Sequence, residues 1–389
     1  MRMERIKYML AFVIMISAAH CRKAFNPPEI QASNHFLAID GFINTGANAI
    51  STFTLTRSLN LSDTIPNIPE LNADVSILSS DGNSYPLTDT GAHGIYFSSS
   101  LNLDNSLSYQ LSVTTSEGSK YLSDLVKPKI SPPIDSLSWE LINDPVTHQQ
   151  VINIYANAHD PANSTHYYRW DYLETYEHVS ALETPWAESN GLIYPLGVQE
   201  SMHYCWTTSH SNNILLGSSV ALSEDVINHA LLANFSQNDP KMDYGYSILV
   251  RQYPLTAEAY NYWLTVQKNS QSLGGLFDVQ PSQVVGNIHG ITNTKDPVLG
   301  YVSASSVQEQ RLFISNSQLP NWQSNPAYSC TTHSVPTDPL NLLVYTYPDP
   351  SYGPYHFEGD FIIFLVVAPR ECLDCRYQGG TNVKPSFWP

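Results

Sequence analysis

The sequence predicts a mostly β protein, with an N-terminal immunoglobulin-like β-sandwich followed by a second β-sandwich-type domain that carries a helical insertion. Apolar and polar residues alternate over short segments, and turn signals such as Asp81-Gly82 and Glu117-Gly118 separate them. The 26 prolines among 389 residues add further breaks between segments. Alternation between turn residues is typical of half-buried strands, whereas a helix repeats its apolar residues every three to four positions.

The first sandwich is expected over residues 35–127. About seven short apolar segments succeed one another here without a helical pattern, which is the spacing of an immunoglobulin-like sandwich. Pro128, Pro132 and Pro133 then predict a stiff linker over residues 128–134. We therefore expect residues 35–127 to fold independently of the second domain.

The second domain is expected over residues 135–389, with a helical insertion at about 223–272. Ser223 is a predicted helix N-cap, and Thr256 is a second one, because hydroxyl side chains bond the free N–H groups of a first turn. The residues predicted to form one apolar face of the first helix are Val226, Ile227, Ala230 and Leu231. The corresponding residues of the second helix are Ala259, Tyr262, Trp263 and Val266.

The first 20 residues predict export. Arg2, Arg5 and Lys7 precede an apolar run from Tyr8 to Ala19, which has the length of a signal-peptide core and is too short for a stable bilayer span. Small residues then lead to Cys21, an arrangement that resembles a bacterial lipobox. His20 departs from the small residue usual at that position, and an ordinary secretory signal cut near Ala19 is the alternative. We expect Cys21 to be lipidated and residues 21–34 to form a tether.

Charge and composition narrow the classes of partner. The formal net charge of −17 repels nucleic acid and anionic lipid, so no nucleic-acid partner is expected. Only 14% of residues are charged and 42% are hydrophobic, the reverse of a disordered chain. A folded protein with a sizeable core is therefore predicted, anchored to the membrane by its lipid alone.

Four cysteines remain beyond Cys21: Cys205, Cys330, Cys372 and Cys375. An even number in an exported protein predicts two disulfides, and the sequence leaves all three pairings open. A zinc site built on Cys372-x-x-Cys375 is one alternative, although a second C-x-x-C is missing. A thioredoxin-like pair is another, although such pairs open a helix and this one follows an apolar strand.

Catalytic signatures are missing from the sequence. It contains no G-x-S-x-G elbow, no H-E-x-x-H and no phosphate-binding glycine loop. His203-x-Cys205 with His210 groups residue types that bind metals, but further ligands are not evident. His159-Asp160 is followed by a proline and is interpreted as a turn. We expect neither a cofactor nor a metal, and a non-catalytic protein.

The segment from Tyr167 to Tyr176 is the densest aromatic stretch. Exposed aromatic rings stack on sugars, so Tyr167, Trp170 and Trp186 form a candidate aromatic binding surface. On a strand, however, alternate residues face the same side. Core packing of Tyr168, Trp170 and Tyr172 is therefore the favoured interpretation of this segment.

Several ordered motifs carry a resemblance to a known family. They are Tyr167-Tyr168-Arg169-Trp170, Val250-Arg251-Gln252-Tyr253, Phe277-Asp278-Val279-Gln280-Pro281, Gly286-Asn287-Ile288, Val298-Leu299-Gly300-Tyr301, Arg311-Leu312-Phe313-Ile314, Cys372-Leu373-Asp374-Cys375-Arg376 and Phe387-Trp388-Pro389. Together with the lipobox they make the chain resemble the Bacteroidota lipoprotein family called domain of unknown function 4249. The resemblance implies an outer-membrane lipoprotein, on the periplasmic or the outer face, often encoded beside a TonB-dependent receptor. It implies no known reaction or ligand.

These patterns are compatible with three functions. The first is a non-catalytic accessory lipoprotein that partners a TonB-dependent outer-membrane receptor. The second is a glycan- or peptide-binding module that uses surface aromatics, which exposure of Trp170 or Trp186 in a cleft would favour. The third, an unrecognised hydrolase, would need acidic and histidine side chains gathered in one pocket.

Overall fold

A computed structural model describes residues 35–59, 68–197, 200–271, 284–320, 322, 330–337, 342–345, 347–360 and 363–389. Strand accounts for 48% of these residues and helix for 9%, so the mostly β class is confirmed. The leader, Cys21 and the tether predicted over residues 21–34 lie outside the described residues. Within the described part of the chain, every helix is too short or too polar to cross a membrane.

The described residues contain 25 strands. The first nine are β1 Leu37–Gly41, β2 Ile43–Asn44, β3 Thr52–Arg57, β4 Ile68–Pro69, β5 Asp74–Ser79, β6 Ser84–Asp89, β7 Ile95–Ser98, β8 Tyr109–Thr114 and β9 Lys120–Ser123. The next nine are β10 Ile134–Asn143, β11 Gln150–His159, β12 Tyr167–Val179, β13 Trp186–Ser189, β14 Leu192–Pro195, β15 Tyr204–His210, β16 Leu215–Ser218, β17 Val226–Ser236 and β18 Gly245–Pro254. The last seven are β19 Ile288–Gly290, β20 Val298–Leu299, β21 Ala304–Ser305, β22 Gln308–Ser315, β23 His333–Pro336, β24 Tyr352–Glu358 and β25 Phe364–Pro369.

Two α-helices are present in the described residues, α1 Ala257–Gln271 and α2 Arg370–Leu373. The predicted N-cap of α1 is confirmed, because the Thr256 hydroxyl accepts the Ala259 N–H at 3.2 Å. Single 3-10 turns lie at Pro240–Met242, Asn316–Gln318 and Cys375–Gln378.

The helix predicted after Ser223 is wrong, because this segment forms strand β17. Its pairing with β11 shifts register twice, and His229, within one of these shifts, adopts a positive φ of 54°. Each such bulge inserts an extra residue and reverses which side the next side chains face. Apolar residues of β17 therefore no longer recur at every second position, and their spacing resembles that of a helix. Val226 and Leu231, predicted to share a buried face, are exposed.

In the first unit, strands β1 and β3 to β9 form one hydrogen-bonded sheet with β19 and β20, rather than two separate facing sheets. The order is β19-β9-β8-β5-β6-β7-β3-β1-β20, with β4 on β3, and the sheet nearly closes on itself. The predicted immunoglobulin-like pair of sheets is therefore replaced by a continuous curled sheet around one core.

Both ends of this sheet come from beyond the predicted linker. Strand β19 pairs with β9, and β20 lies parallel to β1. The chain approaches itself closely here, since a Cβ on Gly286 would lie 1.7 Å from the Gly300 carbonyl oxygen. Ile288 and Val298 are buried in the core of the first sheet. That core is thus completed by residues C-terminal to α1.

A fragment of residues 35–127 is therefore expected to lack a cooperative thermal transition, because it cannot bury its core without β19 and β20. In the full chain, Ile288→Ala should lower the free energy of unfolding by about 2–5 kcal/mol. The matched control is Leu299→Ala, since Leu299 is 42% exposed and should change it little. Denaturation monitored by circular dichroism measures both. Cooperative melting of the fragment near the temperature of the whole chain would contradict this expectation.

The second unit is a sandwich of two sheets. One sheet has the order β10-β11-β17, and the other has the order β15-β12-β18-β22 with β16 also on β12. Their shared core contains Ile152 and Ile154 from the first sheet and Trp170, Ile248 and Val250 from the second.

A third, smaller sheet has the order β23-β25-β24 and packs against the hairpin of β13 and β14. A small separate core of Ile193, Leu365 and Val367 joins them. The hairpin turn is Asn190-Gly191, and both residues have positive φ, 53° and 77°. Those values suit a two-residue turn that matches strand twist.

Candidate functional site

Trp170 belongs to the core of the sandwich. It is 1% exposed, stacks on the Tyr168 ring at 5.7 Å and donates its indole N–H to Gln252 Oε1 at 3.0 Å. Tyr167, on the other face of β12, is half-buried and packs against the Tyr260 ring at 4.8 Å. The predicted core packing of this aromatic segment is confirmed, so Trp170 contributes nothing to a binding surface.

Trp186 has a different environment, because it lines a cleft of about 390 Å³. The cleft lies between the β13–β14 hairpin, β24, α2 and the C-terminal 3-10 turn. Its aromatic and charged lining includes Trp186, Tyr194, Tyr377, Glu188, Arg370 and Arg376. A concave site of this size, with a few fixed polar groups beside aromatic rings, is typical of small-ligand binding.

The hairpin positions the aromatic side of the cleft. Trp186 begins β13, and its ring meets the Phe357 ring edge-on at 5.1 Å. Tyr194 is on β14 and is 43% exposed, whereas Tyr377 reaches in from the C-terminal turn and is 62% exposed. Trp186 is thus anchored on one side by the small core, and the two tyrosines remain open to solvent.

Both disulfides hold the opposite wall. Cys372 in α2 is bonded to Cys330, and Cys375 in the adjacent turn is bonded to Cys205 on β15. The prediction of two disulfides is confirmed, and the structure supplies the pairing. The zinc and thioredoxin-like alternatives are contradicted, because the two cysteines of the C-x-x-C motif pair with different, distant partners.

One ion pair joins the two walls of the cleft. Arg370 Nη2 donates to Glu188 Oε2 at 2.7 Å, and its Nε donates to the Pro350 carbonyl at 2.9 Å. Glu188 also accepts the Gly191 N–H at 2.7 Å. The pKa of Glu188 is below its ordinary value, chiefly because of the Gly191 N–H and next because of the hydrogen bond from Arg370. Glu188 therefore stays ionised as the pH falls into the acidic range.

A second ion pair lies within the C-terminal turn. Asp374 is buried, and its carboxylate accepts hydrogen bonds from Arg376 Nε and Nη2 at 2.9 and 2.7 Å. Hydrogen bonding to Asp374 is the main cause of the raised pKa of Arg376, and Tyr377 and Tyr194 raise it by smaller amounts. Arg376 and the two exposed tyrosines line the same cleft.

The residues considered as metal ligands do not converge. Cys205 is in a disulfide, and His203 Nδ1 lies 2.9 Å from the Ser180 hydroxyl, while burial lowers the His203 pKa. Asp160 accepts backbone N–H groups at residues 162, 164 and 165, so the predicted turn after His159 is confirmed. Across the described ranges, no group of three or more His, Cys, Asp or Glu could hold a metal ion.

Sequence reasoning found Trp186 but missed the residues that surround it. The Asn190-Gly191 pair between two short apolar segments is a strong hairpin signal and would have placed Tyr194 near Trp186. No comparable local signal existed for Arg370, Arg376 and Tyr377, because long-range disulfides bring them to the hairpin.

Comparison with known proteins adds one finding. No curated protein matches the chain. The family model described as "Domain of unknown function (DUF4249)" matches residues 22–311, which include the hairpin side of the cleft and end before its C-terminal wall. Because the match covers most of the sequence, the chain belongs to the domain of unknown function 4249 family.

Proposed function

We propose that this chain is a non-catalytic cell-envelope lipoprotein that captures a ligand in the Trp186 cleft, as the accessory partner of a TonB-dependent outer-membrane receptor. The observation that carries the proposal is that bonds within the chain fix the walls of the cleft in position. Two disulfides hold the C-terminal wall, and the Arg370–Glu188 ion pair joins that wall to the hairpin. A preorganised site loses less conformational entropy when its ligand binds.

Membrane attachment is the first part of this proposal, and the apolar leader that ends before Cys21 supports it. Metabolic labelling with a fatty acid should mark the wild-type protein. Cys21→Ser should carry no label and should appear in the soluble fraction. His20→Ala is the matched control, because it restores a small residue before the cysteine and should keep the label. Label that persists on Cys21→Ser would exclude lipidation at this residue.

Partnership with a receptor is the second part, supported by the family resemblance and by the expected anchor. A lipid anchor confines the search for a membrane partner to two dimensions, which raises effective concentration without an added contact. Purification of the tagged protein in mild detergent should recover a TonB-dependent receptor in near-stoichiometric amount. The Cys21→Ser form should recover much less. Repeated recovery of the chain alone would argue against a stable partnership.

The second candidate is a binding module that works without a receptor, taking a glycan or a peptide. The position of Trp186 in an open cleft favours it. It predicts that the purified chain binds its ligand as tightly without a receptor as with one. It also predicts that purification in mild detergent recovers no receptor. In either function the ligand should be released unchanged, which mass analysis after prolonged incubation tests directly.

A further inference from the structure

We propose that the Trp186 cleft takes an uncharged oligosaccharide, an inference that rests on the proposed capture function and names its ligand class. Three aromatic rings, of Trp186, Tyr194 and Tyr377, line one site from two separate parts of the chain. A sugar ring carries C–H groups on its faces, which pack on aromatic rings, and hydroxyls around its edge. A large ring with few rotatable bonds supplies such contact area at low entropic cost.

The charges of the cleft argue against an ionic ligand. Three carboxylates, of Glu188, Glu200 and Asp374, face two guanidinium groups, so an anion would meet a small excess of negative charge. Arg370 and Arg376 are each already bonded to a carboxylate at 2.7 Å. A cationic ligand would have to compete with these arginines for the same carboxylates. A neutral ligand avoids both costs.

The same ion pairs are well suited to sugar hydroxyls. A carboxylate has about four acceptor sites and a guanidinium has five donors, so Glu188, which accepts two bonds, and both arginines keep further hydrogen-bonding capacity. Asp374 and Glu188 are largely buried, and each is held by a backbone N–H as well as by its arginine. Carboxylates held in this way discriminate between hydroxyl arrangements, because a mismatched sugar would shield a polar group of the cleft from water without bonding to it.

The test uses the full-length oxidised protein and titration calorimetry with neutral hexasaccharides of glucose, mannose, galactose and N-acetylglucosamine. At least one should bind with a Kd in the micromolar range. Trp186→Ala and Tyr377→Ala should each weaken that binding at least tenfold. The matched control is Tyr244→Ala, because Tyr244 is 44% exposed, like Tyr194, and lies outside the cleft. It should stay within twofold of the wild type.

Parallel titrations with oligogalacturonate and with unstructured hexapeptides separate this inference from the broader proposal. Binding of a peptide or of the acidic sugar that is lost in Trp186→Ala, with no neutral hexasaccharide bound, would overturn the ligand class and leave ligand capture intact. Neutral binding that Trp186→Ala and Tyr377→Ala do not weaken would overturn the assignment to this cleft. Absence of binding by every probe would overturn the oligosaccharide inference, whereas recovery of a receptor is measured independently.

Discussion

Replacing Cys205 and Cys375 together by serine is expected to lower the free energy of unfolding by about 5 kcal/mol, the largest effect we expect from a single bond. The two cysteines are 170 positions apart, and a cross-link stabilises chiefly by restricting the unfolded chain, more so for a longer loop. The Cys330–Cys372 pair spans 42 positions, so its double serine variant should lose about 4 kcal/mol. Urea denaturation of both variants measures the difference.

The same two variants should lose ligand binding as well as stability, because both disulfides end in the wall formed by α2 and the turn after it. Wild-type protein should show no free thiol among its four described cysteines when alkylated after denaturation without reductant. Cys205, Cys372 and Cys375 are fully buried, so reduction should be slow until the fold opens. Free thiols in the untreated protein, or unchanged denaturation midpoints in both double variants, would contradict this role of the disulfides.

Trp170→Ala is expected to lower the free energy of unfolding by about 3–5 kcal/mol, because it removes the largest fully buried side chain of the sandwich core. It also leaves Gln252 without its indole donor. Gly217→Ala should also lower the free energy of unfolding, because the added Cβ would lie 2.6 Å from the Trp170 ring and crowd it. Thermal and urea denaturation measure both variants.

Comparison with Trp186→Ala distinguishes a tryptophan of the core from a tryptophan of the cleft. Because Trp186 is only partly buried and packs against a small core, its loss should cost the fold less than the loss of Trp170 while weakening ligand binding more. Trp170→Ala, where it remains folded, should bind with nearly wild-type affinity. The opposite ranking of the two tryptophans in stability and binding would mean that the cleft is not the functional site.

Local patterns were sufficient where the answer depends on neighbours in sequence. The alternation of Tyr168, Trp170 and Tyr172 predicted their burial, and the spacing after Thr256 predicted α1. The same reasoning failed at β17, where two bulges break the alternation and imitate the spacing of a helix. A bulge is defined by the partner strand, so its effect on periodicity is invisible without β11.

Tertiary structure alone decided how distant parts of the chain combine. The pairing of β1 with β20, the choice among three cysteine pairings and the meeting of Trp186 with Tyr377 each join residues more than 40 positions apart. Such contacts repay the entropy of closing a long loop only when many of them form together, around a shared core. Composition and spacing therefore predicted a β-rich chain with paired cysteines, whereas the small core beside Trp186 and the two disulfides produced the cleft.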